Sequence, residues 1–247
     1  MRNKLVIIHI PKTAGSTLRA TVGRAVGKAH RGKYRIIGID EPEPGPEYFV
    51  GLKAKAQRRV DELLNHGVQA MSGHYRYRDV QELVSPCRDQ VSIVTFIRDP
   101  MWRTVSDYHY CLTDRHPWRD DFVQEFPSFE TFLNTPREMN KQLKYLRPSG
   151  RSSVAEAIDC ALENIDFIGL TEQFERDLET LMNSAGISYE LQESRNVQSD
   201  REKMQETYER HYDQMQDILE PELEFHRAIL EHRKLGAWPR ETSSVAE

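Results

Sequence analysis

Two short segments carry the residues best suited to chemistry. The first is Pro11-Lys12-Thr13-Ala14-Gly15-Ser16-Thr17, which follows an apolar run and precedes a helical pattern. Small residues at a helix start leave backbone N–H groups accessible, and the helix dipole there favours negative charge. Lys12 adds a full positive charge, while Thr13, Ser16 and Thr17 add hydroxyl donors. The chemistry implied is the grip of a phosphate or sulfate. The segment is not a G-x-x-x-x-G-K-[ST] loop, because its lysine comes first and Gly15 is its one glycine. On its own it fits a simple helix cap after a buried strand equally well.

The second segment is Thr95-Phe96-Ile97-Arg98-Asp99-Pro100, running on to Ser106-Asp107-Tyr108. Arg98 closes a buried-strand pattern, the place where open α/β sheets bind ligands. Ser106 lies about two helical turns further on. A guanidinium and a hydroxyl so placed could hold a second phosphate. The competing reading pairs Arg98 with Asp99 or Asp107 as a structural ion pair. Between the two segments stands Ser72-Gly73-His74-Tyr75. An unperturbed histidine, with a pKa of about 6.5, suits proton abstraction near neutral pH.

These residues need a scaffold, and the apolar pattern supplies one. Lys4–Ile10 and Val91–Ile97 are β-branched runs expected to form buried strands, with Phe167–Leu170 a shorter third. Leu18–Val26 has the spacing of a helix. Strand, tight turn and helix open an α/β unit. Tyr34–Ile39 and Val68–Ser72 are further strand candidates. Glu41–Gly45 is expected to be a loop and Lys53–Asn65 a helix closed by Gly67. A helix is expected over Trp102–Cys111, just after Pro100. Leu112–Pro127 is expected to be irregular. Shorter helices are expected at Phe129–Leu133, Met139–Leu146, Val154–Asn164 and Gln173–Ala185. Asp200–Lys234 is a long helical stretch with a break expected at Pro221. The expected domain is 1–238, with 239–247 a disordered tail.

Composition excludes several classes. Of 247 residues, 34 are basic and 39 acidic, giving a net charge of −5, which argues against a general nucleic-acid binder. No apolar run is long enough to span a membrane or to form a signal peptide. The three cysteines, Cys87, Cys111 and Cys160, are widely spaced, which fits a reduced setting and no structural zinc site. The aromatic insert from Arg115 to Phe132 admits two readings, an acceptor-binding lid or a satellite core. The Ser194–Arg201 loop is a second candidate for acceptor specificity.

Taken together, the two anion-binding segments resemble the PAPS-dependent sulfotransferases (PAPS is 3′-phosphoadenosine 5′-phosphosulfate). His9 to Thr17 looks like that family's 5′-phosphosulfate loop, and Phe96 to Pro100 with Arg103 and Ser106 looks like its 3′-phosphate motif. The likeness is greatest to the carbohydrate branch that includes heparan sulfate 2-O-sulfotransferase, whose Gly-His element Ser72-Gly73-His74-Tyr75 resembles. Asn140–Leu146 and Ile168–Glu172 add weaker likenesses, so the resemblance runs from about residue 4 to 182. It implies a P-loop-NTPase-like three-layer fold with a mainly parallel sheet and a long C-terminal helical segment. It implies that Lys12 neutralises the leaving phosphate and that Thr13, Ala14, Gly15, Ser16 and Thr17 hold the 5′ end. Arg98 and Ser106 would hold the 3′-phosphate, His74 would be the general base, and no metal would be required. The expected partner is a hydroxyl-bearing acceptor such as a saccharide, a lipid-linked sugar or a small metabolite. The expected setting is the cytoplasm of a bacterium, since the chain begins almost at the first strand. A P-loop nucleotide kinase or a non-catalytic nucleotide-binding module are the alternatives.

Overall fold

The computed structural model describes Met1 and residues 4–29, 36–39, 69–190 and 200–234. The expected loop at 41–45, the helix at 53–65, most of the 194–201 loop and the tail after 238 lie outside the described residues.

Five strands form one all-parallel sheet: β1 (Lys4–Ile8), β2 (Ile36–Ile39), β3 (Ala70–Gly73), β4 (Val91–Ile97) and β5 (Phe167–Leu170), in the order β2-β3-β1-β4-β5. A parallel sheet is covered on both faces, so its strands are continuous apolar runs rather than alternating ones. All seven residues of β4 are accordingly buried. The sheet is flanked by α1 (Gly15–Ala29), α2 (Tyr77–Val84), α3 (Pro100–Cys111), α4 (Arg119–Glu125), α5 (Phe129–Leu133), α6 (Lys141–Leu146), α7 (Val154–Asn164), α8 (Phe174–Ser184), α9 (Arg201–Arg210), α10 (Tyr212–Ile218) and α11 (Glu220–Lys234). This is the three-layer α/β fold expected.

Strand order decides where a ligand can sit. The chain leaves β1 toward β2 and β3 on one side, and leaves β4 toward β5 on the other. The connections part between β1 and β4, and the crevice beyond such a switch point is the usual ligand site of open α/β sheets.

Several boundaries differ from expectation for physical reasons. The first helix begins at Gly15 rather than Leu18, because the small loop residues already take helical turns. Residues 112–127 are not wholly irregular but contain α4, a short helix that buries none of its residues. The break expected at Pro221 falls two residues earlier, at Leu219, so that Pro221 sits in the first turn of α11, where its missing N–H removes no hydrogen bond of that helix; a further break falls at His211. The helix α2 was not expected, although Tyr77, Val80, Leu83 and Val84 give it an apolar face.

Two cores result. The larger surrounds the sheet; the smaller gathers Met101, Val105 and Tyr108 of α3 with Phe126, Phe129, Phe132 and Met215. The aromatic insert is therefore divided: Phe126, Phe129 and Phe132 are buried as a satellite core, while Trp118 remains 46% exposed.

Candidate functional site

A cleft of about 1120 Å³ opens at the carboxyl ends of the strands. Lys12, Ala14, Gly15, Ser16, Thr17, His74, Arg98 and Ser106 all line it. Thr13 sits behind the loop, where its hydroxyl donates to the Ile10 carbonyl at 3.0 Å. These nine residues are thus in or directly behind one cleft.

The sheet register brings them together. Ile8 pairs with Thr95 of β4 on one side and with Gly73 of β3 on the other. The segments following β3, β1 and β4 must then emerge side by side. The Thr95 hydroxyl fastens the β1–β4 exit by donating to the Ile8 carbonyl at 2.8 Å. The Arg98 Nη1 donates to the Lys12 carbonyl at 3.5 Å, closing a separation of 86 residues in sequence.

In the first loop Lys12 and Ala14 adopt left-handed φ of 69° and 61°. That alternation turns successive N–H groups toward one concavity, an anion-binding nest. α1 begins there with no acidic residue in its first turn, so nothing offsets the positive end of its dipole. Gly15 is dictated by a close approach: a Cβ there would lie 1.8 Å from Cδ2 of the His9 ring. The Lys12 Nζ stands 4.0 Å above the centre of the Tyr110 ring, a cation–π contact. Burial, only partly offset by Asp107, lowers the Lys12 pKa to about 8.

Arg98 follows β4 and is partly buried. The ion-pair reading of it does not hold. Asp99 caps α3 by accepting the Trp102 N–H at 2.9 Å, while Asp107 binds Lys141 at 2.6 Å and Arg103 at 3.1 Å. Burial opposes ionisation of Asp107, but Lys141 and Arg103 outweigh it and hold the pKa near 2. Arg103 is fully buried against Asp107 and Glu222 and is not part of the cleft wall. Among the described residues no carboxylate lies within ion-pair distance of the Arg98 guanidinium.

His74 follows β3 directly. Its Nδ1 lies 2.8 Å from the His9 carbonyl oxygen, and the two imidazoles stack with centroids 4.4 Å apart. A carbonyl only accepts, so Nδ1 carries the proton and Nε2 keeps its lone pair. Burial lowers the pKa of His74, and lowers that of His9 to about 3 with help from His74 and Arg19. Both rings are therefore neutral at physiological pH. His109, by contrast, packs away from this pair and bonds Thr207 Oγ1 at 2.9 Å.

Sequence reasoning gave no role to Gln142. It is buried, and its amide embraces the Arg98 peptide: Oε1 accepts the Arg98 N–H at 2.8 Å and Nε2 donates to the Arg98 carbonyl at 2.9 Å. The same Nε2 donates to the buried Glu222 at 2.9 Å. Just after β5, Glu172 accepts the Asp99 N–H at 2.8 Å and the Thr171 hydroxyl donates to the Ile97 carbonyl at 3.1 Å. In the sequence Asn140–Leu146 and Ile168–Glu172 stood out only as weaker family likenesses, with no role for either side chain; a clamp spanning 44 residues leaves no local pattern.

Among the described residues no group of three or more His, Cys, Asp or Glu side chains is placed to hold a metal ion, and no helix is long and apolar enough to cross a membrane.

The crystal structure of a sulfotransferase from Alicyclobacillus acidocaldarius is similar in fold, with a TM-score of 0.54 at 18% identity, over 97% of this chain and 100% of that one. A mouse sulfotransferase complexed with PAP gives a TM-score of 0.43 at 12% identity, over 83% of this chain and 63% of that one. Retinol dehydratase in complex with retinol and PAP gives 0.43 at 15%, over 90% and 82%. No curated protein matches the chain. A sulfotransferase family model matches residues 1–229, and the chain belongs to that family.

Proposed function

We propose that this protein is an O-sulfotransferase that takes its sulfuryl group from PAPS and passes it to an acceptor hydroxyl. The observation that carries the reading is the meeting of two anion sites across the β1–β4 switch point, with Arg98 Nη1 3.5 Å from the Lys12 carbonyl. The donor set suits a nucleotide with phosphates at both ends. The N–H nest of residues 12–15, with Ser16, Thr17 and Lys12, would hold the 5′ end. Arg98 and Ser106 would hold the 3′-phosphate, which separates this nucleotide from ATP and from adenosine phosphosulfate.

When bound, PAPS supplies an activated sulfuryl group, whose S–O bond to the 5′-phosphate breaks as the acceptor oxygen bonds to sulfur and adenosine 3′,5′-bisphosphate (PAP) leaves. The remaining work falls to the chain. Lys12, charged when an anion neutralises it, offsets the negative charge that develops on the leaving phosphate oxygen. His74 Nε2 accepts the proton lost by the acceptor hydroxyl. The stacked His9 ring and the His9 carbonyl fix the direction of that lone pair. The cleft holds both ends of the donor and so fixes the line of attack. The likeness of Ser72-Gly73-His74-Tyr75 to the carbohydrate branch supports a saccharide acceptor.

PAP tests this directly. It should raise the melting temperature in a concentration-dependent way, since a ligand bound by the native state alone stabilises it by mass action. Lys12→Ala and Arg98→Ala should each reduce the effect. Absence of any stabilisation by PAP would end the proposal.

A further inference from the structure

The cleft extends past Lys12 along a run of rings. Lys12 stands on Tyr110, Tyr110 meets His116 edge-on at 5.7 Å, and His116 meets Trp118 at 6.0 Å. Trp118 and Asp121 line the same cleft. They are three residues apart, at the N-cap and in the first turn of α4, a spacing that places side chains on one helix face.

Charge in this half of the cleft differs from charge in the nucleotide half. Two of the cations here are already neutralised. Arg137 is paired with Glu125 and, at 3.2 Å, with Glu138. Lys141 is paired with Asp107 at 2.6 Å and Glu138 at 2.8 Å. Asp121 is exposed and, among the described residues, forms no ion pair. Arg19 and Arg201 also line the cleft, and the Arg19 charge acts on His9 and His74. An anionic group seated on Trp118 would find Arg137 and Lys141 already paired and would face the Asp121 carboxylate.

We infer that the acceptor is an uncharged glycoside, seated with the apolar face of a sugar ring on the Trp118 indole and a hydroxyl donating to Asp121. An exposed indole offers a flat apolar surface, and a carboxylate accepts strong hydrogen bonds from hydroxyls. The same carboxylate excludes a polyanionic chain by like-charge repulsion. This rests on the sulfotransferase reading and departs from the heparan sulfate branch in the charge of the acceptor.

The test compares 4-nitrophenyl β-glucuronide with its methyl ester, which has the same hydroxyls and one charge fewer. Transfer from labelled PAPS should favour the ester by about tenfold or more in kcat/KM. Asp121→Asn should bring the two within about threefold, because the discriminating charge is gone. Trp118→Ala should raise KM with little change in kcat, and Trp118→Phe should recover most of the loss; Trp118 is at the surface, so neither change threatens folding. Equal or better use of the free acid, or a ratio unmoved by Asp121→Asn, overturns the inference. So does failure to sulfate either glycoside while PAP still stabilises the protein, which leaves the transferase reading standing. Failure of PAP to bind removes the transferase reading itself, and the inference with it.

Discussion

The Nδ1 of His74 lies 2.8 Å from the main-chain oxygen of His9, and this contact determines which ring nitrogen can accept a proton. The two residues are neighbours because Ile8 and Gly73 are register partners in adjacent parallel strands. Replacing His74 with alanine should reduce turnover by about 100- to 10,000-fold, the usual contribution of a general base. PAP affinity should stay within about threefold of wild type, since binding and proton transfer use different groups. Steady-state kinetics beside calorimetric titration separate the two; an active His74→Ala enzyme removes His74 from the mechanism.

Gly15→Ala should affect the same pair from the other side. The new Cβ would fall within 2.0 Å of the His9 Nε2 and closer still to Cδ2, so the His9 ring must move. Moving His9 disturbs the stacking and the carbonyl that orient His74. We expect a loss in kcat of about tenfold or more, with the melting temperature lowered by a few degrees at most, as for about 1 kcal/mol of local strain.

The pH profile should have two limbs. His74 acts as a base only when neutral, so kcat/KM should fall as pH drops through its pKa, which burial places below the ordinary 6.5. Lys12 acts only when charged, so kcat/KM should also fall as pH rises through about 8. Between these limbs activity should be flat. Bound anion favours the charged lysine, so the alkaline limb of kcat should lie at higher pH than that of kcat/KM.

Gln142 positions Arg98 without touching the cleft. Gln142→Ala leaves the Arg98 N–H and carbonyl and the Glu222 carboxylate without their amide partner, at a cost of about 1–3 kcal/mol for a buried group. A merely structural defect would weaken all nucleotides alike. A positioning defect should lower PAP affinity by about tenfold and leave adenosine 5′-monophosphate affinity unchanged. The ratio of the two, measured by calorimetry, is the readout.

Legibility in the sequence followed burial. The strand Val91–Ile97 and the helix Val154–Asn164 have the observed bounds because both carry strong apolar patterns with clear stops. Residues 11–17 and Arg98 were legible as candidates only as a pair, because a small-residue loop alone fits a helix cap and a lone arginine fits an ion pair. α4 was not, since seven residues with only Phe122 and Val123 apolar, none of them fully buried, carry no period to detect. The His9 carbonyl could not be seen, because a main-chain acceptor has no side-chain signature. Gln142 was equally hidden: its partners are peptide groups 44 residues away, joined only by the fold.

If one cleft binds a nucleotide phosphorylated at both ends, Arg98 should answer the 3′-phosphate. Calorimetric titration of wild type and Arg98→Ala with PAP and with adenosine 5′-monophosphate tests it in a single comparison. Wild type should prefer PAP by about tenfold or more, and Arg98→Ala should lose this preference while still binding the monophosphate. Equal affinity of wild type for the two nucleotides, or a preference that survives in Arg98→Ala, would contradict it.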